Sequence, residues 1–266
     1  MKTYRCAVIG NPIAHSQSPA LHEQFAREAG ISLIYDKILS PLEDFETIVR
    51  DFFAKSPDTR PIHCGLNITL PFKVRAYQLA EQHTDHAQHA GAVNTFYLNA
   101  KHQLVGDNTD GIGLCRALMQ HGYSLKNKRV LLLGAGGAAR GALYPLLQAG
   151  VRELSLSNRT LSKAQQLIKP YQSQFPITLL TPEDFSTSAP FDFIINATSA
   201  GLHDETFTLP TPLIHRQTYC YDMIYGKPTA FLHWAAQHHL PHHDGYSMLV
   251  AQARESFARW FGSSSF

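Results

Sequence analysis

The sequence predicts an α/β protein, and three observations support this prediction. Short apolar runs rich in β-branched residues alternate with longer amphipathic stretches along the chain. A glycine-rich turn joins one of these apolar runs directly to an amphipathic stretch. The chain has 266 residues, of which 44% are hydrophobic and 17% charged, so it can bury the core of one large or two ordinary domains.

The amino-terminal part predicts strands and helices in alternation. The elements are a strand at Tyr4–Ile9, a helix from Pro19 to about Gly30, a strand at Ile34–Ile38, a helix from Leu42 and a strand at Gly65–Leu70. In the last of these strands Asn67 and Thr69 share one face, so both direct polar groups to the same side. Pro71 ends the strand and leaves Lys73 near the start of the next helix.

The second half predicts a longer series of the same kind. Its elements are a helix at Ile112–His121, a strand at Arg129–Leu133, a helix at Ala138–Gln148, a strand at Glu153–Ser157, a helix from Lys163 to Tyr171, and strands at Phe191–Asn196 and Cys220–Asp222. This order is typical of a doubly wound, Rossmann-like sheet. No internal repeat is present, and the boundary near residue 110 must be inferred from the motifs.

Charge and hydropathy favour a small-molecule partner. Lys and Arg number 23 against 21 Asp and Glu, which gives no field strong enough to indicate nucleic acid or a membrane surface. The longest apolar stretch, Val130–Val151, is interrupted by glycines, Arg140 and Pro145, so we expect no membrane span. The amino terminus leads directly into the first strand, and we therefore expect a cytoplasmic protein.

Cysteines and histidines show no pattern typical of a disulfide framework or a metal site. The cysteines are Cys6, Cys64, Cys115 and Cys220. They form no Cys-x-x-Cys spacing, so we expect reduced, structural thiols. Two histidine groups stand out, namely His83, His86 and His89, and the segment His238–His243. His83 and His86 would share a helix face, but no carboxylate or cysteine completes a site, so we expect a solvated histidine-rich surface and no metal.

The glycine-rich turn predicts a dinucleotide site. A buried strand ends in the pattern Gly-x-Gly-x-x-Ala at Gly134, Gly136 and Ala139 and runs into a helix. Such glycines let the backbone approach a pyrophosphate, and the helix amino terminus offers free N–H groups and a favourable dipole. The alternative is a tight strand-to-helix connection that binds nothing.

The end of the next strand favours NADP over NAD. An Asp or Glu would hold the ribose hydroxyl of NAD there, but the strand ends in Asn158-Arg159-Thr160, 24 residues after Gly134, with Lys163 following. A charge-assisted hydrogen bond to a 2′-phosphate contributes about 1.5–3 kcal/mol, which corresponds to a preference of roughly 10- to 150-fold. The alternative is that Asn158 only forms a turn or a helix cap while Arg159 is solvated.

Five further segments of the sequence are rich in polar residues. They are Gly91–Thr95, Gly106–Gly111, Asn196–Gly201, Tyr221–Tyr225 and Asp244–Gln252. Each one alone could be an ordinary polar turn. Together with Gly10–Pro19, Asn67–Lys73 and Asn158–Thr160, they stand in the order of the motifs of the shikimate dehydrogenase family, which the chain resembles from Gly10 to about Phe257.

The resemblance implies two domains with an active site in the cleft between them. Residues 1–109 plus 246–266 would form an α/β substrate-binding domain, and residues 110–245 a Rossmann-like NADP-binding domain. The implied reaction is the reversible, NADPH-dependent reduction of 3-dehydroshikimate to shikimate. Because a ketone that accepts a hydride also needs a proton, an ammonium such as that of Lys73 suits this chemistry.

The resemblance also implies a role for individual residues. Lys73 and Asp110 would be the catalytic pair. Substrate binding would involve Ser16, Ser18, Thr69, Asn94, Tyr225 and Gln252. NADP(H) binding would involve Gly134, Gly136, Gly137, Ala138, Asn158, Arg159, Thr160 and Lys163, with the nicotinamide side lined by Ala197, Thr198, Ile224, Gly245 and Met248.

The spacing of Ser16 and Ser18 also predicts an anion-binding site, independently of the resemblance. In an extended segment both hydroxyls face one way, and Ser18 would cap a helix that begins at Pro19, an arrangement that favours an anion.

Two alternatives to the main function stay open: a dehydrogenase that also accepts quinate or prefers NAD, and a non-catalytic NADP-sensing protein. The chain would be a monomer or a homodimer.

Overall fold

The computed structural model describes residues 2–54, 60–198 and 207–262. The predicted α/β class is confirmed. The chain divides into two compact units: unit 1 comprises Met1–Gly113 and Val250–Phe266, and unit 2 comprises Leu114–Leu249. The divisions thus follow residues 113 and 249, where the sequence suggested 109 and 245.

Unit 1 contains a mixed six-stranded sheet. Its strands are β1 (Thr3–Gly10), β2 (Ser32–Leu39), β3 (Ile62–Ile68), β4 (Gln82–His83), β5 (Thr95–Leu98) and β6 (Leu104–Asp107). Its helices are α1 (Ser18–Glu28), α2 (Phe45–Ala54), α3 (Lys73–Leu79), α4 (Asp85–Ala90), the start of α5 (Asp110–Gln120) and most of α9 (Tyr246–Phe261). The strand order is β2-β1-β3-β5-β6-β4, with β5 antiparallel to both β3 and β6.

The core of unit 1 includes a large apolar cluster and a smaller one among the described residues. The large one packs Phe45, Val49 and Phe52 of α2 against β1 and β3. The smaller one contains Cys6, Val8, Ile13 and Tyr35, with Cys64, Trp260 and Phe261 packed against it. Because these last two residues belong to α9, the final helix contributes to the core of the amino-terminal sheet.

Unit 2 contains a parallel six-stranded sheet. Its strands are β7 (Arg129–Leu133), β8 (Glu153–Ser157), β9 (Ile177–Leu179), β10 (Phe193–Asn196), β11 (Tyr219–Asp222) and β12 (His242–His243). Its helices are the remainder of α5, α6 (Gly137–Gln148), α7 (Leu161–Ile168), α8 (Ala230–Gln237) and the first turn of α9, with short 3₁₀ turns at Pro182–Ser186 and Thr211–Leu213. The order β12-β11-β10-β7-β8-β9 is the doubly wound arrangement that the sequence predicted.

The central strands of unit 2 are buried on both faces. Every residue of β7 and of β10 is buried, which explains the apolar runs Val130–Leu133 and Phe193–Ile195 within them. Separate apolar clusters cover the two faces of the sheet. Parallel strands of this kind align their carboxyl ends at one edge, where open α/β sheets bind ligands.

One helix that the sequence predicts, around His83, is a strand in the structure. His83 lies in β4, paired with Gly106 of β6, whereas His86 and His89 lie in α4, so the predicted helical face shared by His83 and His86 is wrong. The short strand forms because Gln82 and His83 pair with Val105 and Gly106 of β6, and His83 Nε2 also lies 2.7 Å from Tyr77 O. Within the described ranges, no helix is both long and apolar enough to cross a bilayer.

Candidate active site

Lys73 and Asp110 form an ion pair in unit 1. Lys73 Nζ donates to Asp110 Oδ2 at 2.6 Å. Lys73 is the first residue of α3, as Pro71 predicted, and Asp110 is the first residue of α5. The side chains keep 30% and 15% of their exposure, so the ammonium is held by the carboxylate and still reaches solvent.

Asn94 holds the other oxygen of Asp110. Its Nδ2 donates to Asp110 Oδ1 at 2.8 Å and lies 2.9 Å from Thr109 Oγ1, while its Oδ1 accepts from Thr109 N at 2.9 Å. Asn108 shapes the turn, because its Oδ1 accepts from Asp110 N at 3.1 Å and its Nδ2 donates to Ala92 O at 3.1 Å. Hydrogen bonds between the segments Gly91–Thr95 and Gly106–Gly111 therefore hold the side chains of both segments in place.

Asn67 extends this network, although the sequence assigned it no role. Its Oδ1 accepts from Tyr35 OH at 2.7 Å, and its Nδ2 lies 2.9 Å from Ser256 Oγ and 3.2 Å from Thr95 Oγ1. The available signal was its position two residues before Thr69 on the polar face of β3. Thr69 itself is half-buried just after β3, and its N–H donates to Ile9 O at 3.0 Å.

Helix α9 presents three polar residues to this network. Gln252, Ser256 and Arg259 are spaced i, i+4 and i+7, so they lie on one helix face. Gln252 Oε1 lies 3.3 Å from Asn94 Nδ2. A Cβ at Gly113 would lie 2.6 Å from Gln252 Cβ, so glycine is needed where α5 meets α9. No sequence pattern indicates a role for Ser256 or Arg259, because their partners lie far away along the chain.

The two serines of the carboxylate segment lie at the start of α1 in a geometry that differs from the prediction. Gln17 has φ −90° and ψ −3°, so the backbone between Ser16 and Ser18 is helical, and the expected extended geometry is wrong. Gln17 is the N-cap and Ser18 is the first helical residue, so the predicted Ser18 cap is also wrong. Ser16 supplies the local bond instead, since its Oγ accepts from Ser18 N at 3.3 Å.

The glycine turn of unit 2 fits a pyrophosphate. Gly134 follows β7 with φ +107°, a conformation that L side chains rarely adopt. Gly136 is the N-cap of α6, and an added Cβ at Gly136 or Gly137 would meet no described atom within 4 Å. Ala138 is exposed, whereas Ala139 is fully buried. The space beside these two glycines is therefore open, and the start of a helix, with its free N–H groups, suits an anion.

The cluster after β8 offers two cationic side chains. Asn158 Nδ2 donates to Thr160 O at 2.8 Å, so this amide closes its own turn, as the alternative interpretation expected. Thr160 is the N-cap of α7 but makes no side-chain cap bond. Arg159 and Lys163 are exposed and have no ion-pair partner within the described part of the chain. This arrangement fits a phosphate group.

The residues predicted for the nicotinamide side lie beyond β10 and β11. Asn196 Oδ1 accepts from Thr198 N at 3.1 Å, and Asp222 Oδ1 accepts from Ile224 N at 3.0 Å. Asn196 Nδ2 donates to the same Asp222 oxygen at 3.1 Å, so two buried side chains, to which the sequence assigned no role, shape both loops. Burial raises the pKa of Asp222.

The other predicted residues of this region are mostly buried. Ala197 and Met248 are each 9% exposed and belong to the large core cluster of unit 2. A Cβ at Gly245 would lie 2.4 Å from Met223 O, so only glycine fits there. Tyr225 is half-buried in unit 2. Residues 199–201 of the segment after β10 lie outside the described ranges.

The histidines that the structure describes do not gather into a larger site. His121 and His243 stack with ring centroids 3.9 Å apart, and His243 Nδ1 lies 2.8 Å from Tyr219 OH. Burial lowers the pKa of His243. Residues 2–54, 60–198 and 207–262 contain no group of three or more His, Cys, Asp or Glu that could hold a metal ion.

Comparisons with known proteins identify the family of this chain. The model of the shikimate dehydrogenase substrate binding domain matches residues 8–96, and that of shikimate / quinate 5-dehydrogenase matches residues 116–204. The chain is 45% identical to the shikimate dehydrogenase (NADP(+)) of Acinetobacter baumannii (strain ACICU), over 97% of this chain and 95% of that relative.

Solved structures match over nearly the whole chain. An Ael1 enzyme from Pseudomonas putida is 40% identical with a TM-score of 0.89, covering 98% of this chain and 94% of that one. Shikimate 5-dehydrogenase from Thermus thermophilus, in complex with NADP(H) and shikimate, is 32% identical with a TM-score of 0.83, covering 98% and 94%. The chain therefore belongs to the shikimate dehydrogenase family.

Proposed function

We propose that this protein catalyses the reversible, NADPH-dependent reduction of 3-dehydroshikimate to shikimate. The observation that supports this most directly is the 2.6 Å pair of Lys73 and Asp110, whose second oxygen is held by Asn94. A protein that only senses NADP would need no proton donor beside a set of amides. The family membership supports the same function.

Lys73 is the proposed proton donor. Reduction of the ketone requires a hydride, which NADPH supplies when bound, and a proton for the carbonyl oxygen. The Lys73 ammonium stabilises negative charge on that oxygen and donates the proton, and in shikimate oxidation the neutral amine takes it back. Asp110 holds the ammonium in place through Oδ2 and is itself held by Asn94.

The remaining polar residues would orient the substrate. The amides of Asn94 and Gln252 present donors and acceptors beside Lys73, which suits the ring hydroxyls of shikimate. Ser16, Ser18, Thr69 and Tyr225 would bind the carboxylate or the hydroxyls. Ser16 and Ser18 suit an anion because they lie at the amino terminus of α1.

We assign substrate binding to unit 1, apart from the contribution of Tyr225, and NADP(H) binding to unit 2. Gly134, Gly136, Gly137 and Ala138 would hold the pyrophosphate at the start of α6. Arg159 and Lys163 would hold the 2′-phosphate, with Asn158 and Thr160 shaping their turn. The nicotinamide would lie against Ala197, Thr198, Ile224, Gly245 and Met248. We further propose a cytoplasmic enzyme that acts as a monomer or a homodimer.

The decisive experiment measures NADPH oxidation by the purified protein with 3-dehydroshikimate. Parallel reactions replace NADPH by NADH, or 3-dehydroshikimate by 3-dehydroquinate. Rapid turnover with NADPH and 3-dehydroshikimate alone is the expected result. Turnover with both ketones would indicate a broader quinate/shikimate dehydrogenase, and NADPH binding without turnover on either ketone would contradict the enzymatic proposal.

A further inference from the structure

Two of the four cysteines, which take no part in the proposed reaction, lie in contact. Cys6 is in β1 and Cys64 is in β3, and their Sγ atoms are 3.1 Å apart although 58 residues separate them. Both are free thiols. Cys115 and Cys220 are also free, and burial raises the pKa of each to about 12.

A β-bulge creates this contact. Along β1 and β3 the register pairs Arg5 with His63 but Cys6 with Gly65, so Cys64 is an extra residue without a partner on β1. The bulge interrupts the alternation of side chains between the two faces of the sheet. The Cys64 thiol also lies 3.5 Å from Arg5 O, on the residue next to Cys6. The short S···S distance is therefore built into the strand pairing.

The two thiols differ in their access to solvent. Cys6 is fully buried in the cluster with Val8, Ile13 and Tyr35, and burial raises its pKa. Cys64 is only half-buried at the edge of that cluster. A dissolved oxidant thus meets Cys64 first, and Cys6 is the nearest group that can react with the oxidised sulfur. A disulfide has an S–S length of about 2.05 Å, so the sulfurs need to approach by only about 1 Å.

We propose that Cys6 and Cys64 are an oxidation site at which a hydroperoxide converts the two thiols into one intrachain disulfide. The Cys64 thiolate attacks the O–O bond, keeps one oxygen as a sulfenic acid and releases the other, with a proton, as an alcohol, or as water when the oxidant is hydrogen peroxide. The Cys6 sulfur then displaces the retained oxygen as water and forms the S–S bond. With hydrogen peroxide, two thiols and one peroxide give one disulfide and two waters.

The test uses the folded full-length chain and hydrogen peroxide. The reduced protein is treated with a series of peroxide doses, quenched with catalase, unfolded and labelled with N-ethylmaleimide, and its intact mass is measured. The expected product has lost two of its four thiols together, has gained no oxygen, and regains both thiols with dithiothreitol. Digestion should then yield a peptide that joins Cys6 to Cys64.

Three variants separate this proposal from general thiol oxidation. Cys6→Ala should leave Cys64 as a sulfenic acid that dimedone traps, and Cys64→Ala should leave Cys6 fully labelled at doses that oxidise the wild type. Cys115→Ala is the matched control and should form the disulfide in wild-type yield. The proposal is overturned if Cys64 gains oxygen while Cys6 stays labelled in the wild type, if no thiol is lost, or if the disulfide joins other cysteines. These readouts do not depend on the catalytic activity.

Discussion

Arg259 near the end of α9 donates through Nε to Asp107 Oδ2 at 2.7 Å. The Asp107 side chain is fully buried, and its other oxygen accepts from Asn108 N at 2.7 Å and from the Thr84 hydroxyl. Because Asn108 in turn accepts from Asp110 N, the ion pair ties the last helix to the turn that carries Asp110.

Replacing Arg259 should therefore destabilise the protein. Arg259→Met leaves the buried Asp107 carboxylate without its cationic partner, and we expect a loss of about 1–3 kcal/mol in the free energy of unfolding. Denaturant unfolding measures this loss. Lys128→Met is the control, since Lys128 pairs with Asp192 at 3.2 Å on the surface and its removal should cost less than about 1 kcal/mol. Equal losses in the two variants would contradict the prediction.

Replacing Lys73 should affect kcat more than KM. Lys73→Ala removes the proposed proton donor, whose interaction is strongest in the transition state, and we expect kcat to fall by about 10²- to 10⁴-fold. Steady-state kinetics with 3-dehydroshikimate test this. Lys101→Ala, at an exposed position, is the control. A large rise in KM with unchanged kcat would make Lys73 a binding residue.

Replacing Arg159 should reduce the preference for NADPH. The guanidinium is expected to bond the 2′-phosphate, which NADH lacks, so Arg159→Ala should lower kcat/KM for NADPH by roughly 10- to 150-fold and leave the value for NADH nearly unchanged. The ratio of the two values is the measurement. Arg152→Ala removes another exposed arginine from unit 2 and should preserve the ratio. Parallel losses for both cofactors would argue against a 2′-phosphate contact.

The buried His22 should make the fold sensitive to acid. Burial lowers the pKa of His22 from 6.5 to about 3, so below pH 6.5 the unfolded chain binds a proton that the folded chain does not. Its neutral ring thus favours folding above pH 6.5, and this contribution is lost at about 1.4 kcal/mol per unit as pH falls towards 3.

His22→Phe isolates this effect. The ring of His22 stacks on Tyr35 with centroids 4.4 Å apart, and phenylalanine can occupy the same place without taking up a proton. The free energy of unfolding, measured at pH 7 and pH 5, should fall less for His22→Phe than for the wild type. His233→Gln, which removes an exposed histidine, is the control. An unchanged pH dependence in His22→Phe would contradict the prediction.

The elements predicted best from the sequence are those specified by neighbouring residues. The apolar run of β7, the glycines after it and the start of α6 form one continuous local pattern, and the structure has them in that order. Pro71 likewise placed Lys73 at a helix start, because proline ends a strand by its own geometry.

What the sequence missed depends on distant partners. The edge strands β4 and β12 have two residues each, too few for a periodic signal, and they exist because β6 and β11 pair with them. Arg259 and Asp107 are separated by 152 positions, and the contact of Cys6 with Cys64 depends on a bulge. No spacing rule connects such pairs.

Trp260 occupies the space that a side chain at position 65 would need. A Cβ on Gly65 would lie 2.1 Å from the Trp260 Nε1, which also donates to Phe96 O at 3.0 Å. The ribosome makes unit 2 as one continuous stretch, Leu114–Leu249, before it adds Trp260. The amino-terminal sheet therefore gains this packing partner only after the whole of unit 2 has been synthesised, so the unit whose synthesis begins first is also the last to be finished.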